Sequence, residues 1–125
     1  MNYFDLEYAE QVHDIVIEVS GGINGIKNIG QLDSVLFHIQ NDLYYPTFED
    51  KLSHLIHSLV KFHMFLDGNK RTALLLGAYF MNLNHYTYYI DTYIEDMEDI
   101  VVEIAEGSYS KEQLKEYLIN LFKSN

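Results

Sequence analysis

Residues 69–82, NKRTALLLGAYFMN, run through Ala73, Leu74, Leu75, Leu76, Ala78, Tyr79, Phe80 and Met81 with almost no polar interruption after the first turn. A helix that is apolar nearly all round has no face to offer to water, so other elements have to surround it. The rest of the chain reads as that surround. Leu6, Ala9, Val12, Ile15, Val16 and Val19 recur at three- and four-residue steps, as do Leu32, Val35 and Leu36 within 31–39 and Leu52, Leu55, Ile56, Leu59 and Val60 within 48–63. An acidic helix over 93–105 and a last one starting at Ser110, with Leu114, Tyr117, Leu118 and Leu121 inward, complete the pattern. Spacing of this kind stacks side chains on one helical face. It predicts a mainly α fold of about six helices in a single domain, 1–125.

Turn formers separate these segments. Ser20-Gly21-Gly22 ends the first helix, and Asn24-Gly25 follows closely. The apolar residues of 25–30 alternate with turn formers, which suits a short extended excursion better than a helix. Residues 86–90 read as a second extended piece, and Glu106-Gly107-Ser108 breaks the acidic helix.

Nineteen acidic against eight basic residues give a formal charge of −11. That balance removes the broad attraction to DNA, RNA or anionic lipid that a basic surface would supply. With no Cys there is no disulfide framework, thiolate metal site or Cys nucleophile. The start, MNYFD, lacks the basic and apolar regions of a secretory signal, and no apolar run reaches the roughly 18 residues of a membrane span. The expected location is the cytoplasm, without membrane or nucleic-acid partners.

Between the helix ending near His63 and the one starting near Asn69 lies HMFLDGNKR. A helix N-terminus presents unpaired N–H groups and partial positive charge, an anion site in waiting. Gly68 lets the backbone approach the anion, and Asn69 can orient the loop or bond a phosphate oxygen. Lys70 and Arg71 sit where the helix dipole favours carboxylates, so a negative ligand is needed to compensate them. Asp67 would repel that anion unless Mg2+ lay between them. His63 is the one group of the stretch able to act as a base near neutral pH. Phe65 reads as a buried anchor for the loop. Each residue alone also has a plainer role, the His in packing and the Asp-Gly pair in a turn; their convergence in one loop favours chemistry.

The stretch resembles the H-x-F-x-D/N-A/G-N-K-R motif of Doc toxins in the Fic/Doc superfamily, and His13-Asp14, Gly21-Gly22, 25–32, 53–61 and Ala105-Glu106-Gly107 are also similar to the Doc pattern. The resemblance implies the helical Fido fold with a short flap. It implies His63 as base, Asp67 as Mg2+ ligand, and Gly68, Asn69, Lys70 and Arg71 around a nucleotide phosphate. Most Fic proteins transfer AMP to a hydroxyl and carry Gly where this chain has Lys70. Doc carries Lys, and is a kinase that moves the terminal phosphate of ATP to a threonine of elongation factor Tu, which blocks protein synthesis. Leu74 stands where many Fic enzymes have a second Arg, which also separates this chain from ordinary AMP transfer.

Two further expectations come from the resemblance. Self-inhibiting Fic proteins carry S/T-x-x-x-E-G/N, whereas Glu106-Gly107 is preceded by Val102 at that distance; silencing by an antitoxin partner is expected instead. Residues 24–30, with Ile26, Lys27, Asn28 and Ile29, resemble the flap that aligns a target peptide through main-chain pairing. AMP transfer, or a silent domain that binds without turnover, are the alternatives. Outside the motif, His54 and His57 lack a third metal ligand on their helix face, the Tyr groups read as packing, and Glu95-Asp96-Met97-Glu98-Asp99 reads as a solvated helix face.

Overall fold

The computed structural model describes residues 1–124. Within them the chain forms α1 (Leu6–Ser20), α2 (Ile29–His38), α3 (Phe48–Lys61), α4 (Asn69–Leu83), α5 (Ile90–Glu106) and α6 (Lys111–Lys123), with a 3-10 turn at Thr87–Tyr89 before α5. The apolar helix α4 is central: α3, α5 and α1 pack on it, while α6 and α2 lie against α3. Thr72, Ala73, Leu74, Leu76, Gly77, Ala78, Phe80 and Met81 of α4 are all buried. Tyr93 of α5 is fully enclosed beside it and donates its hydroxyl to the Leu74 carbonyl at 2.9 Å.

Local chemistry sets where the helices start. Asp5 accepts from Tyr8 N–H and Asn28 from Gln31 N–H. Thr47 with Asp50 and Ser110 with Gln113 form reciprocal capping boxes for α3 and α6. Gly107, left-handed at φ 84°, closes α5. Helix α4 differs from those four: Gly68 stands at its head and contributes no side-chain cap.

The fold is helical as expected, with corrections in detail. On α1 the inward face is Ala9, His13 and Val16, and Ile15 and Val19 are 58% and 79% exposed. Apolar residues occupy two ridges of that helix, and only one can meet α4. Helix α3 stops at Lys61, because Phe62 leaves helical geometry and His63 takes positive φ. Residues 86–90 are not extended. Tyr86 turns inward to stack on Phe48 at 4.4 Å and packs on Phe122, so the aromatic alternation serves a cluster, and α5 begins at Ile90 instead of 93. Ile29 is the first residue of α2, which leaves Ile26, Lys27 and Asn28 as the extended excursion.

Candidate active site

The motif loop crosses the head of α4 and is braced from three directions. Phe65 and Met64 are buried beneath it. Gly25–Asn28 runs antiparallel to the loop: Leu66 N–H donates to Gly25 O, while Lys27 N–H and Asn28 N–H both donate to Met64 O, at 2.8–3.1 Å. Ile26 and Phe65 are the opposed pair. In an antiparallel ladder the residue of such a pair turns its own N–H and C=O away from its neighbour, so Ile26 presents an open main-chain edge outward.

On the far side of Phe65 the Asn69 side chain completes the pairing. Its Oδ1 accepts from Phe65 N–H and its Nδ2 donates to Phe65 O, each at 3.0 Å. Both ends of that amide are thus engaged by the loop, and what Asn69 turns toward an anion is its main-chain N–H. The amides of Asn69, Lys70 and Arg71 have no protein acceptor among the described residues, since the first helical bond is Thr72 N–H to Gly68 O. Three donors and the positive end of the dipole therefore open on one side of α4.

That side is a cleft of about 700 Å³ between α4, α5 and the end of α1. His63, Asp67, Gly68, Asn69, Lys70 and Arg71 all line it, so the motif residues expected around an anion do share one cavity. His63 projects into it from a left-handed residue, φ 47°, a conformation uncommon outside glycine. Its ring is exposed and has no hydrogen-bond partner among the described residues. Leu74 lies on the wall with Val60, Val101 and Ala105, giving the cleft an apolar side. Arg71 reaches across to Glu98 of α5 at 3.6 Å, with both side chains about half exposed (51% and 55%). The acidic run is therefore not only a solvated face: Glu98 stands at the rim of the cleft, and Asp96 accepts from the Tyr117 hydroxyl at 2.7 Å.

Asp67 is seated by main-chain groups. Its Oδ1 accepts from Gly68 N–H at 2.9 Å and its Oδ2 from Ile23 N–H at 3.3 Å. Each oxygen retains a further lone pair, and Asp67 lines the cleft. Among the described residues no three His, Asp or Glu gather as a metal group; Asp67 is the residue of this loop that could hold a cation. His54 and His57 stand on α3 beside Tyr45, His38 and Lys111, away from this cleft.

Two contributors stood out in sequence only as part of the Doc-like pattern, with no role in the site assigned to them. Gly22, at φ 113°, lies so close to Asp67 that a Cβ there would meet Oδ2 at 2.6 Å; in sequence the Gly-Gly pair reads as a helix stop and as a match to the Doc-like pattern, neither of which ties it to Asp67. His13, 1% exposed, donates from Nε2 to the Asp67 carbonyl at 2.7 Å and lies flat on Phe65, with centroids 3.8 Å apart. A His on the inward face of an amphipathic helix is the available signal for it.

Residues 3–81 match the Fic/DOC family, a span that takes in α1, the flap, the motif loop and nearly all of α4. The chain is similar to the protein named Toxin Doc of Mycolicibacterium smegmatis, 33% identical over 89 residues, 68% of each chain. It is also similar to the protein named Protein kinase doc of Escherichia phage P1, 26% identical over 128 aligned positions that cover 99% of this chain and 98% of that one. The helical architecture and the matched span lead to one conclusion: this chain belongs to the Fic/DOC family.

Proposed function

We propose that this protein is the toxin of a toxin–antitoxin pair and a Doc-like protein kinase, transferring the terminal phosphate of ATP to a threonine hydroxyl of elongation factor Tu in the cytoplasm. The observation that carries the reading is the convergence of an exposed imidazole, a seated carboxylate, two cations and three unbonded amides on one cleft. The names of the two relatives, a toxin and a protein kinase, support it.

In this reading the amides of Asn69, Lys70 and Arg71 and the two cationic side chains receive the phosphates. Arg71 is free to exchange its long contact with Glu98 for a phosphate oxygen. Bound Mg2+, held by Asp67, would neutralise phosphate charge as it shifts during transfer. The open edge at Ile26 pairs with the target segment and brings its hydroxyl to His63. The hydroxyl oxygen forms a bond to the terminal phosphorus, the bond from that phosphorus to the bridging oxygen breaks, ADP leaves with the electron pair, and the hydroxyl proton passes to His63. Leu74 on the cleft wall supplies no second guanidinium, which supports phosphate transfer over AMP transfer. An antitoxin partner follows from the toxin assignment.

Intact mass of elongation factor Tu after incubation with the protein, ATP and Mg2+ tests this. A gain of about 80 Da is expected for a phosphoryl group, whereas about 329 Da would mean AMP transfer. Nucleotide binding with no product on any protein of a whole-cell lysate would mean a silent domain. His63→Ala should abolish transfer and leave ATP binding within about twofold; retained transfer would remove His63 from the role of base.

A further inference from the structure

His13 lies far from the motif in sequence, yet it contacts the motif loop from a buried position. Its ring is 1% exposed and stacks on Phe65 with planes 7° apart. The partner of Nε2 is the Asp67 carbonyl oxygen at 2.7 Å, an atom that can only accept. The proton therefore sits on Nε2, and the ring cannot turn over without losing both the bond and the stack.

The bond reaches the carboxylate through the peptide plane. In a trans peptide C=O and N–H point in opposite directions, so fixing the Asp67 oxygen toward α1 fixes the Gly68 N–H toward the cleft. That N–H is the group seating Asp67 Oδ1 at 2.9 Å. No cis peptide interrupts the geometry. Asp67 Oδ2 is meanwhile met by Ile23 N–H at 3.3 Å, from the loop that follows the same helix. Helix α1 thus orients the carboxylate twice, through His13 and through Ile23.

We propose that His13 is a positioning residue for the metal-binding carboxylate: by holding the Asp67–Gly68 peptide it sets the direction of Asp67, and with it the affinity of the site for Mg2+ in the presence of nucleotide. The inference rests on the proposed function. It differs from a packing role in a measurable way. Packing loss would weaken every ligand equally, while loss of the Nε2–H bond acts on the cation.

The test is a titration of Mg2+ against fluorescently labelled ATP bound to the full chain. His13→Phe keeps the stack and removes the donor; His13→Gln keeps a donor of similar reach. Mg2+ affinity is expected to fall about tenfold or more in His13→Phe, as supporting-shell changes do, with Mg2+-free binding of the nucleotide within about twofold and partial recovery in His13→Gln. Unchanged Mg2+ affinity in His13→Phe, or an equal fall with and without Mg2+, overturns the proposal. If the unsubstituted protein shows no Mg2+ dependence, the proposed function fails and the metal role with it. A second measurement needs no variant, should His13→Phe not fold. Imidazole 15N spectra of the unsubstituted protein are expected to show His13 protonated at Nε2 and shifted by Mg2+ with ATP more than His57. An Nδ1–H tautomer, or no shift beyond that of His57, overturns it.

Discussion

Asp67, Gly22 and Arg71 show how much of the cleft depends on single contacts. Gly22 has the backbone angle of glycine and no room for a Cβ beside Asp67 Oδ2. Gly22→Ala is therefore expected to displace the carboxylate, weakening Mg2+-dependent ATP binding by roughly tenfold and lowering stability by about 1 kcal/mol through backbone strain. Titration and thermal melting read the two effects separately; unchanged Mg2+ dependence would show that Asp67 does not bind the metal. Arg71 has a different constraint. Its pair with Glu98 is long and half exposed, so little holds it from a ligand. Glu98→Gln should tighten ATP binding by roughly two- to fivefold at low salt, an advantage that fades as salt screens it. Weaker binding in that variant would mean that Glu98 orients Arg71 for the phosphate and does not compete with it.

At the scale of elements, α4 is held by closeness. A Cβ on Gly77 would run into the Tyr93 hydroxyl and meet Ile56 Cδ1 at 2.9 Å. Gly77→Ala is expected to cost about 1–3 kcal/mol by overpacking, despite the better helix propensity of alanine; a denaturant midpoint at or above that of the unsubstituted protein would refute the close approach. Helix α3 depends on its start. Thr47 and Asp50 satisfy one another's main-chain N–H groups, and Thr47→Ala should lower stability by about 1 kcal/mol in the same assay. The contrast with α4 carries functional weight. Helices α1, α2, α3 and α6 each give one first-turn amide to a side-chain cap, while Gly68 offers none and leaves the first three amides of α4 open to the cleft.

The whole molecule responds to acid through a second cluster. Burial, followed by the nearby Lys111, His38 and His57, pushes His54 down from 6.5 to about 4. Its Nδ1 is buried without a partner, and its ring stacks on Tyr45 at 4.5 Å. Burial likewise lowers His57, against a main-chain contact with Tyr109. The unfolded chain takes up a proton at each ring near the ordinary value, while the folded chain takes it up only at lower pH. Unfolding thus binds protons in that window, and stability, intact above about 6.5, falls as pH drops toward about 4. Asp50 adds a later loss. Burial alone would raise it, but the Lys115 and Thr47 contacts outweigh burial and hold it below 3.8, so its contribution disappears only under stronger acid. Melting temperature should decline between about pH 6.5 and 4, and His54→Phe should flatten that decline. An unchanged slope in the variant would move the acid sensitivity elsewhere.

Much was determined by sequence alone, because the determinants are local. The apolar run of α4, the three- and four-residue spacing of its neighbours and the turn formers between them specify which helices exist, and His63, Asp67, Lys70 and Arg71 mark a candidate site by lying within nine consecutive positions. What sequence could not decide was every choice between equally apolar or equally polar alternatives. Ile15 and Val19 match the spacing of a buried face as well as Val16 does, and only the approach of α4 selects Val16. Tyr86 to Ile90 alternates like a strand until Phe48 and Phe122 arrive to pack Tyr86. Glu98 reads as one more solvated acid until α5 lies beside Arg71. His13 and Gly22 gain their meaning from Asp67, 54 and 45 positions away, because the peptide plane and the empty space that seat the carboxylate exist only once α1 has docked against the motif loop.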